Sequence, residues 1–118
     1  MSNDIWMIMF YSPECGHCKK MRPIWEIVST AMRNTTRVGV LDVTDEDNKG
    51  LAAKFKVRKV PTIKIFGFSK KNPKKRTRPF DYTGERTTVD IITWLKKYNV
   101  NRMVHDRSIQ ILVYKEVK

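Results

Sequence analysis

At 118 residues the chain has the length of one domain, enough for a single hydrophobic core without staples. Its two cysteines exclude a multi-disulfide framework, and with two histidines they do not furnish the usual four-ligand zinc site, so no metal is expected. Twenty-four Lys and Arg against 12 Asp and Glu give a net charge of +12, which suits anionic partners, and no stretch approaches the roughly 20 apolar residues that span a bilayer.

Ile5 to Tyr11 is an apolar run that reads as a buried strand. It leads into Ser12-Pro13-Glu14-Cys15-Gly16-His17-Cys18, and Lys19 to Met32 then reads as a helix. This strand-turn-helix context sets Cys15 at a helix N-terminus, where unpaired N–H groups and the helix dipole stabilise a thiolate. Cys18, one helical turn on, shares its face and can close a small disulfide with it. The chemistry implied is thiol–disulfide exchange, with the Cys15–Cys18 pair as the redox centre and no separate cofactor.

Arg37 to Val43 alternates and is β-branched, which predicts a strand. Thr44 to Asn48 carries turn and cap chemistry, and Leu51 to Phe55 fits a short helix. Thr62 to Phe66 is the next strand, entered through Val60-Pro61, and Pro79 to Tyr82 the return strand after a basic loop. Thr87 and Asp90 have capping-box spacing, and Ile91, Ile92, Trp94, Leu95 and Tyr98 form an apolar helix face. Ser108 to Val117 alternates like a last strand. The order β-α-β-α-β-β-α-β predicts an α/β sheet domain, one unit over 1–118 with a core of about 5–98 and a C-terminal extension over 99–118.

Several pieces resemble the thioredoxin superfamily, and in particular a catalytic domain of the protein disulfide isomerases. They are Phe10-Tyr11-Ser12-Pro13, Cys15-Gly16-His17-Cys18-Lys19-Lys20-Met21, Pro23, Phe55-Lys56-Val57-Arg58-Lys59-Val60-Pro61-Thr62-Ile63-Lys64, Tyr82-Thr83-Gly84-Glu85-Arg86 and Trp94-Leu95-Lys96-Lys97. The resemblance implies a thioredoxin-like fold, a mixed sheet flanked by helices. It implies that Cys15 is the exposed nucleophile and Cys18 the buried resolving thiol. Pro61 falls at the family's cis-proline, beside which Val60 and Thr62 would pair with an extended protein substrate. Arg86 falls where the isomerases keep an arginine that eases deprotonation of the resolving cysteine. Ordinary roles for Pro61 as a trans turn residue and Arg86 as a solvated charge are the alternatives.

Residues around the cysteines tune the couple. Reductases near −270 mV and isomerases near −180 mV differ by about 90 mV, roughly 4 kcal/mol for two electrons. A partly protonated His17 beside a Cys15 thiolate stabilises the reduced form, so Gly16-His17 favours oxidase or isomerase behaviour over strong reduction. Three positions depart from the family pattern. Met9 and Val40 stand where relatives keep a buried acid and its lysine partner, and Glu14 replaces the usual tryptophan, with a charge expected to oppose the thiolate. A slower exchanger, weak at isomerisation, is the expectation.

The family's first strand and helix are missing ahead of Ile5, and Ser108 to Val117 extends past its last helix. That strand is expected either to fill the edge left open or to pair across a dimer. Eleven Lys or Arg and no acid lie between Lys54 and Arg78, ending in Lys70, Lys71, Lys74, Lys75, Arg76 and Arg78. This run fits a solvated hairpin tip, steering of acidic substrates, or nucleic-acid binding. The leading reading is a disulfide oxidoreductase acting on proteins; the alternative is a binding module holding nucleic acid or an acidic protein through the basic surface. With no signal-like N-terminus and no retention signal at the C-terminus, the expected location is cytoplasmic, with a virus-encoded or virion-associated origin allowed and the endoplasmic reticulum only for a trimmed chain. In a cytosol poised near about −220 mV, a couple near −180 mV would sit mostly reduced.

Overall fold

β1 (Ile5–Tyr11) is flanked on both edges, and its neighbours determine where the cysteines fall. The computed structural model describes residues 5–67 and 79–104, the last five of them by backbone alone. Along one edge β1 pairs in parallel with β2 (Thr36–Asp42), Ile5 opposite Thr36 and Tyr11 opposite Asp42. Along the other it pairs antiparallel with β3 (Thr62–Phe66), Trp6 opposite Phe66 and Phe10 opposite Thr62. β3 in turn pairs antiparallel with the short β4 (Phe80–Asp81), giving a mixed sheet of order β2-β1-β3-β4. Because Phe10 lies opposite Thr62, the chain just after β1 and the chain just before β3 meet at one end of the sheet.

One face of β1 is covered along its whole length and the other at its Phe10 end, while Trp6 on that second face is exposed. Ile5, Met7 and Met9 are fully buried against α1 (Gly16–Ala31) and α3 (Thr88–Val104). Phe10 points to the opposite face, where its ring and those of Phe55 and Phe66 lie with centroids 5.1 to 6.5 Å apart. Phe55 closes the short α2 (Lys49–Lys54), which follows a single 3-10 turn at Glu46–Asn48 capped by Asp45.

α1 buries Cys18, Met21, Trp25 and Val28, spaced three to four residues apart on one stripe. Trp25 Nε1–H donates to Gly39 O at 2.8 Å and pins the helix to β2. The helix begins at Gly16, three residues ahead of the Lys19 to Met32 stretch, with Cys15 at its N-terminus as expected and acting as its cap. α3 starts as its spacing predicted: Thr87 Oγ1 accepts the Asp90 N–H at 3.0 Å and donates to Asp90 Oδ2 at 2.6 Å. Ile91, Leu95 and Tyr98 face the core, and Asn99 Nδ2 donates to Thr36 Oγ1 at 3.1 Å, fastening α3 to the start of β2.

The remaining expectations fall where the sequence placed them or outside the described residues. The return strand is β4, shorter than Pro79 to Tyr82. Among the described residues β2 has one neighbour, so its outer edge is open. The expected last strand, Ser108 to Val117, and the basic residues Lys70, Lys71, Lys74, Lys75, Arg76 and Arg78 lie outside the described residues.

Candidate active site

Ser12 and Cys15 close the turn after β1: the Cys15 N–H donates to Ser12 O at 3.1 Å, and the Glu14 N–H to Ser12 Oγ at 3.2 Å. Cys15 then adopts the extended conformation of an N-cap, and its sulfur accepts the Cys18 N–H at 3.1 Å. A thiolate here takes the role of a capping serine, satisfying a helix N–H otherwise without an intrahelical partner. Both thiols are free; Cys15 is half-buried and Cys18 buried.

Their environments push the two apart. Hydrogen bonding from the Cys18 side chain lowers the Cys15 pKa against a smaller opposing effect of burial, helped by the N–H groups of residues 18 and 17 and by the Arg86 charge. Burial raises the Cys18 pKa, and the neighbouring Cys15 adds to it; Arg86 works in the other direction. The arrangement therefore presents one thiol easily ionised at the surface and one kept protonated beneath it, as stepwise exchange requires.

The facing wall is the turn into β3. The Val60–Pro61 peptide is cis, Pro61 is buried, and Cys15 Sγ lies 3.8 Å from Val60 O. Thr62 Oγ1 donates to Lys59 O at 2.6 Å, which ties the turn together from behind. Arg86 Nη2 reaches Pro61 O at 3.4 Å, so this arginine borders both the proline turn and the thiols. The structure thus gathers Cys15, Cys18, Val60, Pro61, Thr62 and Arg86 at one end of the sheet.

The other named residues sit differently. His17 is exposed, and residue 17 acts on the Cys15 sulfur through its backbone N–H. Gly16 is exposed, and a Cβ built on it meets nothing within 4 Å. Glu14 is exposed, while the influences on Cys15 come from Cys18, burial, the helix-start N–H groups and Arg86. Met9 and Val40 are paired in register across β1 and β2, but they are not equivalent: Met9 is 0% exposed and Val40 47%. Only Met9 is a buried replacement; Val40 is exposed on β2, the edge strand among the described residues.

One supporting element escaped the sequence reading. Tyr82, buried, donates its hydroxyl to Glu85 O at 2.6 Å and so holds the loop that carries Arg86. Gly84 lets that ring approach, since a Cβ there would lie 2.6 Å from the Tyr82 oxygen. The signal was present as Tyr82-x-Gly84, an aromatic two residues before a glycine. Among the described residues no group of three or more His, Cys, Asp or Glu is placed to hold a metal ion. No helix among them is long and apolar enough to cross a membrane.

Comparison with known proteins extends this geometry. The family model described as Thioredoxin matches residues 1–97. The chain is 34% identical over 111 residues to the protein disulfide-isomerase A6 homolog of Drosophila melanogaster, covering 94% of this chain and 24% of that protein. It is 40% identical over 91 residues to human protein disulfide-isomerase A6, covering 77% of this chain and 19% of the relative. Among solved structures, the first thioredoxin domain of mouse protein disulfide-isomerase A4 superposes with a TM-score of 0.63 at 31% identity, over 81% of this chain and 64% of that one. A fragment of ERdj5 superposes with a TM-score of 0.69 at 22% identity, over 81% of this chain and 43% of that one, a likeness of fold. The chain spans about a fifth to a quarter of the length of these curated relatives. The relatives are proteins of the endoplasmic reticulum, which overturns the expectation of a cytoplasmic or viral location and with it the mismatch against a cytosolic poise. The match over residues 1–97, together with the capped cysteine pair facing a cis-proline, identifies the chain as a member of the thioredoxin family, similar to the domains of protein disulfide-isomerases.

Proposed function

We propose that this chain is a thiol–disulfide oxidoreductase domain that exchanges disulfides with protein substrates through Cys15. The observation that carries the reading is the Cys15 sulfur itself: half-buried, held on the Cys18 N–H at 3.1 Å, and 3.8 Å from Val60 O beside the cis-proline. The Cys15 thiolate attacks one sulfur of a substrate disulfide, and the other sulfur leaves as a thiolate. Cys18 then gives up its proton and attacks Cys15, which closes the Cys15–Cys18 disulfide and releases the substrate's second thiolate. Run backwards, the same steps oxidise a substrate dithiol.

The helix-start N–H groups and Arg86 all favour the Cys15 thiolate, hence the reduced form, and a couple whose reduced form is stabilised is the more oxidising one. The direction we assign is accordingly oxidase- or isomerase-like. The rival binding module relies on the basic residues from Lys70 to Arg78, which lie outside the described residues, and no observed feature favours it. Reactivation of disulfide-scrambled ribonuclease in a glutathione buffer tests the reading. The wild-type chain should restore activity and Cys15→Ser should not; equal rates with both would refute it.

A further inference from the structure

A cleft of about 270 Å³ opens beside the cis-proline, between the turn that precedes β3 and the loop that precedes α3. Lys59 comes from the first of these and Arg86 from the second. The acid that shares the cleft, Asp81, is engaged by Lys64 at 2.6 Å across the β3–β4 pair. Lys59 has no ion-pair partner among the described residues. Arg86 spends one nitrogen on Pro61 O at 3.4 Å, long for such a bond, and keeps the rest of its fork of donors for another acceptor. Lys59 and Arg86 thus give the cleft two cations against an Asp81 already paired with Lys64, while Asp90 and Glu85 are near enough to act on its Tyr82 wall.

Its position gives that charge a use. The Cys15 sulfur lies 3.8 Å from Val60 O, so a peptide whose cysteine meets Cys15 must run past Val60 and Pro61. An extended peptide paired there sends alternate side chains to opposite sides, so one near the cysteine is directed toward the cleft. A carboxylate suits both walls: a planar guanidinium receives it on two donors, and an ammonium adds a point charge.

We propose that the Lys59–Arg86 cleft is a recognition subsite for an acidic side chain close in sequence to the substrate cysteine. The inference rests on the exchange reading above and names the class of protein that the exchange selects: substrates with Asp or Glu beside a reactive cysteine.

The test uses peptides with a single cysteine, each joined as a mixed disulfide to a chromogenic aromatic thiol. The Cys15 thiolate attacks the peptide sulfur and the aromatic thiolate leaves, which is read by absorbance; Cys18 then displaces the peptide thiolate, and the protein ends as the disulfide. Asp, Asn and Lys are scanned through the positions on either side of the cysteine. At one or more positions Asp should react about 3- to 10-fold faster than Lys at low ionic strength, and salt at about 0.5 M should flatten the difference. Lys59→Glu should flatten the order at that position, because the new carboxylate offsets Arg86. Equal rates for all peptides, or a preference that Lys59→Glu leaves intact, overturns the subsite while the exchange reading stands. Release of aromatic thiol from none of the peptides overturns both.

Discussion

The Cys18 N–H donates to Cys15 Sγ at 3.1 Å, so the sulfur proposed to meet substrate is also the cap of the helix that carries its partner. Deprotonating Cys15 strengthens this cap, because a hydrogen bond to an ionised acceptor is about twice as strong as one between neutral groups. The reduced state and the helix start are therefore coupled.

That coupling sets a pH dependence. The folded state lowers the Cys15 pKa, so its contribution to stability is complete above the ordinary thiol value near 9.0 and is lost as the pH falls through the lowered one. Cys18, raised by burial, has the opposite sign and loses its contribution as the pH climbs above the ordinary value. In urea unfolding of the reduced protein, the advantage of wild type over Cys15→Ser should grow from pH 6 to pH 9. A constant difference would mean that the thiolate does not stabilise the fold.

Met9 tests what replaced the family's buried acid. Met9→Glu places an unpaired carboxylate at a fully buried position and should destabilise by about 3 kcal/mol or more. Val40→Lys alone should stay within about 0.5 kcal/mol, since that side chain is 47% exposed at the sheet edge. The double variant should lose less than the sum of the two, because the residues are opposite each other in register. It should also resolve the mixed disulfide faster than wild type; chemical denaturation and stopped-flow exchange read the two effects.

Gly84 and Tyr82 keep Arg86 in place. Gly84→Ala puts a methyl 2.6 Å from the Tyr82 oxygen and should displace the loop, with a loss of about 1 to 3 kcal/mol and slower exchange. Tyr82→Phe removes only the bond to Glu85 O and should lose about 1 kcal/mol. Unchanged rates in both variants would remove Arg86 positioning from the account.

Gly16 makes the contrasting case. Open space around its Cβ position means that Gly16→Ala should be tolerated, stabilising by about 0.4 to 1 kcal/mol through the unfolded chain. A thermal melt decides it; a destabilised Gly16→Ala would show that the turn needs a glycine.

Much of this site could be read along the chain because its parts are local. The strand-to-helix turn with its cysteines is contiguous, β3 runs from Thr62 to Phe66 as its pattern indicates, and the α3 cap is the Thr87–Asp90 pair itself. The sequence set Cys15 at the start of α1, but a cysteine is not among the usual capping residues, and only the fold turns its sulfur onto the Cys18 N–H. Val40 looked like half of a buried apolar pair; its exposure goes with the place of β2 at the sheet edge among the described residues, which no local pattern encodes. The Lys59–Arg86 cleft needs two loops brought together by the β3–β4 pairing, so it became visible only in three dimensions, whereas the Tyr82 lock is local to Tyr82–Glu85.

The central claim is that Cys15 attacks and Cys18 resolves. Incubating the Cys18→Ser and Cys15→Ser variants with a disulfide-bonded peptide, then mapping adducts by mass spectrometry, tests it most directly. The account predicts a stable mixed disulfide on Cys15 in the first variant and little or none on Cys18 in the second. Equal adducts on both cysteines, or an adduct on Cys18 alone, would contradict it.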